Sequence, residues 1–229
     1  MKIIWLGHGS FRFEIGGEVL LVDPFLSGNP VFPEDRRAEA LSGVTAIFIS
    51  HGHDDHTADA LAIAEETGAK IYCIADLAGF WGKSGVDCVG FNKGGTVKVG
   101  DVSVTMVNAT HSSSISTDHG PAYVGAESGF MIEGEGHSIY FSGDTDVMAD
   151  MKIFNDLHKP DIGILSAGGF YTMDMKRAAY AAKTFFDFKT VIPMHYRTFP
   201  ALEQNADLLK AELPGVTVIE PDVLEPIEL

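Results

Sequence analysis

Residues 45–56 read Thr-Ala-Ile-Phe-Ile-Ser-His-Gly-His-Asp-Asp-His, an apolar stretch that leads straight into three histidines and two aspartates. The apolar half is typical of a buried strand, and the polar half begins where that strand ends. Imidazole and carboxylate bind zinc, manganese and iron, and the end of a rigid strand lets neighbouring side chains converge on one point. The chain has only nine histidines, and three of them lie within residues 51–56. This concentration indicates a metal site and not merely a solvent-exposed turn that contains histidines.

Three more residues that bind metals come shortly after apolar, strand-like stretches. They are His111, Asp144 and His195. In layered α/β proteins, sites gather at the carboxyl ends of strands, so we expect these side chains to meet the hexapeptide 51–56. Each histidine alone would be better explained as a capping or core residue. Together with the hexapeptide they supply enough ligands for two ions.

Strands and helices alternate unevenly along the chain. Helices are predicted over 57–67, with Gly68 as the stop, and over 174–186. Strands are predicted over 2–6, 10–15, 18–22, 45–50, 70–74, 96–99, 102–107, 129–132, 138–141, 162–165 and 191–194. No linker, charge block or low-complexity segment interrupts this series, so a single domain over 1–229 is expected.

Charge and cysteine usage exclude several classes of partner. The chain has 32 acidic and 16 basic residues, a net charge of −16, so we expect no binding to nucleic acid or to anionic membranes. A small-molecule substrate is expected, and an anionic one stays open because metal ions invert the local field. A homo-oligomer also stays open. Cys73 and Cys88 make no paired motif, and no signal peptide or spanning stretch is evident, so the cytoplasm is the expected location.

Motifs spread over the chain resemble the metallo-β-lactamase superfamily, whose His-x-His-x-Asp-His motif matches 51–56. The resemblance is closest to a branch of small metal-dependent hydrolases of bacteria and archaea, similar to the L-ascorbate-6-phosphate lactonases. The other segments that carry it are Gly-His-Gly-Ser at 7–10, Val-Asp-Pro-Phe-Leu-Ser-Gly-Asn-Pro at 22–30, His-Ser-Ser-Ser at 111–114, Gly-Asp-Thr at 143–145, Thr-Met at 172–173, Pro-Met-His-Tyr at 193–196 and Thr-Phe-Pro at 198–200.

The resemblance implies a fold and a set of ligands. The fold is an αββα sandwich of two mixed sheets with helices outside and the site at one edge. Two divalent metal ions are implied, zinc by preference, with manganese or iron as alternatives because the set contains no thiolate. The first ion would be held by His51, His53 and His111, the second by Asp55, His56 and His195, and Asp144 would bridge the two.

The ligand set predicts a hydrolase that uses a metal-bound hydroxide to cleave a small-molecule ester, lactone or related bond. Asp55 would orient the nucleophile, and His8 or a metal-bound water would protonate the leaving group. The main alternative is a phosphodiesterase acting on a small or lipid-head phosphodiester. A redox di-iron protein is disfavoured by His53, where such relatives usually carry glutamate. A metal-binding protein without turnover also stays open.

Four residues outside the ligand set have two interpretations each. Asp23 either accepts the free N–H of a ligand imidazole or caps a turn. His8 either contacts substrate or packs in the interior. Arg197 clamps a phosphate or carboxylate, or is solvated, and His119 contacts substrate or is a solvated loop residue. Residues 168–171, Gly-Gly-Phe-Tyr, depart from the Gly-Asp-Asn-Phe pattern of the branch, which puts its substrate preference in doubt for this chain.

Overall fold

Two seven-stranded sheets form the centre of the computed structural model, which describes residues 1–229. The first sheet has, in spatial order, β16 (Pro226–Glu228), β1 (Lys2–Gly7), β2 (Ser10–Ile15), β3 (Glu18–Val22), β4 (Ala46–Phe48), β5 (Lys70–Ile74) and β6 (Cys88–Phe91). The second has β15 (Thr217–Val218), β14 (Thr190–Met194), β13 (Ile162–Ser166), β12 (His137–Phe141), β11 (Ser128–Gly134), β8 (Val102–Asn108) and β7 (Thr96–Val99). A separate hairpin consists of β9 (Ser114–Thr117) and β10 (Gly120–Tyr123).

The two sheets have the same internal arrangement. In the first, the pairs from β16 to β3 are antiparallel and those from β3 to β6 are parallel. In the second, the pairs from β7 to β12 are antiparallel and those from β12 to β15 are parallel. Parallel neighbours end on the same edge of a sheet, so the loops after β3, β4, β12 and β14 can meet there.

An aromatic core joins the sheets face to face. Phe11 of the first sheet lies edge-on to Phe141 of the second, with ring centroids 6.0 Å apart, and Phe48 lies edge-on to Phe130 at 5.7 Å. Each such pair contributes about 0.5–1.5 kcal/mol beyond the burial of its area. These contacts belong to one contiguous core of 62 buried residues. The sheets are therefore held together by apolar packing that does not involve the predicted metal ligands.

Helices pack on the outside of this pair of sheets, as the predicted αββα sandwich requires. Contacts place α3 and α4 beside β5 and α6 beside β13. The helices are α1 (Arg37–Leu41), α2 (Asp54–Thr57), α3 (Ala60–Thr67), α4 (Ala75–Trp81), α5 (Asp150–His158), α6 (Met175–Phe185) and α7 (Asp207–Glu212), with one 3₁₀ turn at Glu34–Arg36. None of them has the length and apolar character that crossing a bilayer requires.

The sequence did not predict α1, α4, α5, α7, β6, β15 or β16, and two further parts of the chain differ from the expected elements. The single helix expected over 57–67 is divided into α2 and α3, and α2 begins within the hexapeptide. Asp59 lies at the break, where its carboxylate accepts the backbone N–H groups of Leu26 and Ser27. The polar segment 112–121, expected to be a loop, contains the β9–β10 hairpin, whose strands are too short and too polar to show an alternating pattern.

Candidate metal centre

Two groups of ligand atoms meet at the edge where the parallel strands end. The first group consists of His51, His53 and His111, and its shortest separation is 3.0 Å, between His51 Nε2 and His53 Nδ1. The second group consists of Asp55, His56 and His195, with a ring nitrogen of His8 within 4.8 Å of all three. In this group Asp55 Oδ2 lies 3.8 Å from His56 Nε2 and 3.6 Å from His195 Nε2. Two ligand atoms that share an ion at about 2.1 Å from it are about 3.4 Å apart in a tetrahedral arrangement. Both groups therefore have the spacing of a set that holds one ion.

Asp144 lies between the two groups. Its Oδ2 atom is 4.0 Å from His51 Nε2 and 3.6 Å from His111 Nε2 in the first group. The same atom is 3.4 Å from His56 Nε2 and 3.1 Å from His195 Nε2 in the second. No other carboxylate oxygen is this close to both groups, which is the position that a bridging ligand needs.

The donor atoms fit divalent cations. His56 Nε2 and Asp144 Oδ1 are buried and make no hydrogen bond, although burying an unpaired polar atom is costly. A cation at the second group would give His56 Nε2 a partner, and carboxylate binding to a cation would offset the cost of burying Asp144. Nitrogen and carboxylate oxygen donors without a thiolate suit zinc, manganese and iron alike, so the set fits the implied metals without selecting one of them.

Asp23 orients one imidazole from each group. His56 Nδ1 lies 2.9 Å from Asp23 Oδ2, and the backbone N–H of Ser50 donates to Asp23 Oδ1 at 2.7 Å. The Ser50 hydroxyl also donates to Asp23, which leaves its oxygen to accept from His51 Nδ1 at 2.9 Å. Because both Nδ1 atoms carry the hydrogen, the Nε2 atoms of the neutral His51 and His56 rings are unprotonated, and their lone pairs are available to bind a metal ion.

The carboxylates and imidazoles of the site are strongly coupled in charge. Burial raises the pKa of Asp144, but the neighbouring His195 and His56 outweigh it and hold that pKa well below the usual range. Burial lowers the pKa of His195, but Asp144 and Asp55 outweigh this effect and raise it to about 9. The imidazoles around Asp144 therefore favour the ionised form of this carboxylate. Burial outweighs the hydrogen bonds to Asp23 and raises the pKa of that carboxyl group.

Strained backbone holds three of the site residues. His8, Asp23 and His195 have φ angles of 56°, 50° and 60°, in the left-handed region that costs an L-residue roughly 1–2 kcal/mol. The His8 carbonyl accepts both the Trp5 indole N–H at 2.9 Å and the His195 backbone N–H at 3.0 Å. The second of these hydrogen bonds joins the loop after β1 to the loop after β14, and the two together hold His8 and His195 in place.

A cavity of about 830 Å³ opens onto the ligand groups. Five of the predicted ligands line it, namely His53, Asp55, His111, Asp144 and His195. The other residues of its lining are Phe25, Asp54, Ala58, Ser112, Tyr171, Phe199 and Ala201, none of which the sequence identified as a site residue. Their presence depends on how separate loops fold together, and no local pattern reports that.

A family model described as a β-lactamase superfamily domain matches residues 19–196. The chain belongs to the metallo-β-lactamase superfamily. This superfamily member is 66% identical to a UPF0173 metal-dependent hydrolase of Dinoroseobacter shibae and 60% identical to one of Paracoccus denitrificans, in each case over the full length of both chains. The solved structure of Igni18, a novel metallo hydrolase from Ignicoccus hospitalis, is 30% identical, has a TM-score of 0.87, and the match covers 99% of this chain and 97% of that one. The predicted superfamily, fold and class of metal-dependent hydrolase are confirmed.

His8 lies beside the predicted metal ligands of this hydrolase but does not line the cavity. Its ring is 1% exposed, its Nε2 atom lies 2.9 Å from Asp55 Oδ2, and its centroid is 3.9 Å from that of His195. Burial and then the neighbouring His195 lower the pKa of His8 to about 4. The expected role as proton donor to a leaving group is therefore not supported by the position of this side chain.

The two residues expected to contact substrate lie elsewhere. The Arg197 guanidinium donates to the Pro221 carbonyl at 2.8 Å and packs 4.9 Å from the Trp5 ring centroid, so it stabilises the loop after β14 and does not line the cavity. The phosphate clamp at Arg197 stays a prediction, since the contacts of the guanidinium in this structure are with Pro221 and Trp5. His119 is exposed at the tip of the β9–β10 hairpin and is also absent from the cavity lining.

Gly143 brings Asp144 into the site through a backbone position that only glycine fits. Its φ angle is 59°, and an added Cβ would lie 2.2 Å from the Ser128 carbonyl oxygen. We expect Gly143→Ala to lower the free energy of unfolding by at least about 2 kcal/mol more than Gly17→Ala, or about 4–8 °C in Tm. Gly17 is the matched control, since its φ is 78° but nothing lies within 4 Å of an added Cβ. Equal melting temperatures for the two variants would contradict this role of the close contact.

Proposed function

We propose that this chain hydrolyses a small-molecule ester or lactone at a centre of two divalent metal ions. The observation that carries the proposal is the position of Asp144 Oδ2, 3.1–4.0 Å from four imidazole nitrogens of the two groups. The residues that would hold the first ion are His51, His53 and His111, those for the second are Asp55, His56 and His195, and Asp144 would bridge them.

The open side of the site supports catalysis over a structural role. Structural metal sites are closed by four protein ligands, whereas catalytic sites keep a position for water and substrate. Here both ligand groups border the cavity, and His53, Asp55 and His111 are only partly buried. A substrate in the cavity would therefore reach the ligand atoms directly.

Hydrolysis adds one water across the scissile C–O bond, with the hydroxyl on the acyl carbon and the proton on the leaving oxygen. Two bound divalent ions would lower the pKa of the water to about 7 and polarise the carbonyl oxygen. The charge of Asp144 offsets the repulsion between two cations at close range. Asp23 and Ser50 keep His51 and His56 in the tautomer that binds metal, and the cavity positions the acyl group at the ligand atoms.

The proposal is tested with protein stripped by a chelator and then reloaded with zinc, manganese or iron. We expect the reloaded protein to hydrolyse simple aryl esters or lactones and the stripped protein to lose this activity while its circular dichroism is unchanged. Failure of every reloaded form to hydrolyse any ester or lactone would refute the proposed activity. Unfolding of the stripped protein would show instead that the metals are structural.

His8 is proposed as a positioning residue for Asp55, because its Nε2 atom hydrogen-bonds Asp55 Oδ2. We expect His8→Ala to weaken metal binding at the group containing Asp55 by roughly 10- to 100-fold, as loss of a partner of a metal ligand usually does. His8→Gln keeps an N–H donor at similar reach and should recover part of that affinity. The measurement is metal retained by each variant during dialysis against a weak competing chelator.

The two roles considered for His8 give different results. A proton donor would leave metal binding intact and lower kcat by about 10²–10⁴ in both variants. Replacement of a positioning residue lowers metal retention, and activity falls because metal is lost. His8→Ala that retains both ions at the wild-type affinity would exclude the positioning role.

A further inference from the structure

The wall of the cavity away from the metal ligands carries no positive charge. No lysine or arginine is among the lining residues, and Arg197, the nearest candidate in the sequence, is committed to Pro221 and Trp5. The one acidic side chain of this wall outside the ligand groups is Asp54, whose Oδ2 atom accepts the Ser116 hydroxyl at 2.7 Å. An anionic substituent in this part of the cavity would find no partner and would be repelled by the Asp54 carboxylate.

The same wall presents aromatic surface. Phe25 and Phe199 both pack edge-on to the His8 ring, with centroids 6.0 and 5.4 Å away, so their rings are fixed beside the metal ligands. Phe199 is 37% exposed, and Tyr171 is 63% exposed on another part of the lining. Tyr171 belongs to the segment Gly168 to Tyr171 that departs from the pattern of the lactonase-like branch. Exposed aromatic surface beside a reactive site is typical of a wall that binds an apolar ligand.

We propose that the substrate carries an uncharged aryl or compact alkyl group beyond its scissile bond, and that this group packs against Phe199 and Tyr171. The inference rests on the proposed hydrolase function and specifies its substrate class. It replaces the anionic substrate that the sequence left open, because the charge that would bind such a substrate is absent from the cavity wall. The reacting carbonyl lies at the ligand groups, and the apolar group fills the remainder of the cavity.

A pair of matched esters tests the inference on the metal-loaded protein, 4-methylphenyl acetate and 4-sulfophenyl acetate. The sulfonate group binds metal ions weakly. Because 4-sulfophenolate is a better leaving group than 4-methylphenolate, intrinsic reactivity favours the anionic ester. After correction for the rate of alkaline hydrolysis, we expect kcat/KM to be at least about tenfold higher for 4-methylphenyl acetate. Equal or greater kcat/KM for the sulfonated ester would overturn the inference and leave the proposed function standing.

Truncation of the aromatic wall gives a second readout. Phe199→Ala and Tyr171→Ala should each lower kcat/KM for 4-methylphenyl acetate by about ten- to a hundredfold, mostly through a higher KM. Phe80→Ala is the matched control, since Phe80 is 47% exposed on α4 and does not line the cavity, and it should leave kcat/KM unchanged. Equal effects of Phe80→Ala and Phe199→Ala would contradict specific packing against the wall.

A binding experiment separates failure of the inference from failure of the proposed function. If no ester is cleaved, the metal-loaded protein is titrated by ligand-observed NMR with 4-methylanisole and with 4-methoxybenzenesulfonate, which cannot be hydrolysed. Binding of the neutral ether alone, weakened in Phe199→Ala, would support the inference while the esterase activity is refuted. Binding of the sulfonate as tightly as the ether would overturn the inference whatever the activity.

Discussion

Asp144→Ala is expected to lose at least one metal ion per chain and to lower kcat/KM by roughly 10³-fold or more, while the protein stays folded. The large effect follows from the position of Asp144, whose Oδ2 atom is the one carboxylate oxygen close to both ligand groups. Without it, two cations would repel each other across the gap. The fold should survive because the sheets are joined by aromatic packing elsewhere.

Metal content by elemental analysis and kcat/KM on the same preparation check this expectation. Asp146→Ala is the matched control, since Asp146 is an exposed aspartate two residues along the chain and lies 3.7 Å from Arg177, outside both ligand groups. The control should keep both ions and its activity. Wild-type turnover in Asp144→Ala would refute the bridging assignment.

Asp23→Asn is expected to weaken binding of both metal ions by roughly 10- to 100-fold. Asparagine tolerates the left-handed backbone at this position, so the change acts mainly on hydrogen bonding. Its NH₂ group would face a donor on either side, the Ser50 backbone N–H at the place of Oδ1 or His56 Nδ1 and the Ser50 hydroxyl at the place of Oδ2. In the first orientation the segment that carries His51 loses a hydrogen bond, and the acceptor for His56 is an uncharged amide oxygen instead of a carboxylate. In the second orientation His56 and, through Ser50, His51 lose the partner that fixes their tautomers.

Competition with a chelator of known affinity measures this effect for each ion. Asp59→Asn is the control, because Asp59 is also a buried aspartate and accepts backbone N–H groups at Leu26 and Ser27 but touches no ligand imidazole. Asp59→Asn should lower the free energy of unfolding but should weaken metal binding much less than Asp23→Asn does. Equal loss of affinity in both variants would mean that Asp23 acts through general stability.

The ligand groups could be predicted from the sequence because their signals are local and repeated. The apolar stretch before His51 and those before Asp144 and His195 each indicate a buried strand that ends at a residue able to bind metal. Parallel strands end on one edge of a sheet, which places Asp144 and His195 together at the edge of the second sheet. The face-to-face packing of the two sheets then brings His51 of the first sheet to them. The segment with Asp23 was also open to interpretation as a partner of a ligand imidazole, and the structure places it at His56.

The cavity wall and the residues that contact substrate could not be predicted in the same way. Phe25, Tyr171 and Phe199 come from three loops that meet only in the folded chain, and the two phenylalanines do not stand out among the 15 of the sequence. Tyr171 was noticed only as part of a segment that departs from the branch pattern, which assigned it no role. Arg197 follows a ligand by two residues, which suggested a clamp. Its φ angle of 61° belongs to a turn that carries the guanidinium to Trp5 instead.

The measurement that tests the central claim most directly is a crystal structure of the metal-loaded protein with anomalous diffraction at the absorption edge of the bound metal. The account predicts two anomalous peaks about 3.5–4 Å apart, with Asp144 touching both. One peak should lie among His51, His53 and His111 and the other among Asp55, His56 and His195. A single peak at saturating metal, or a second peak that Asp144 does not reach, would contradict the binuclear centre.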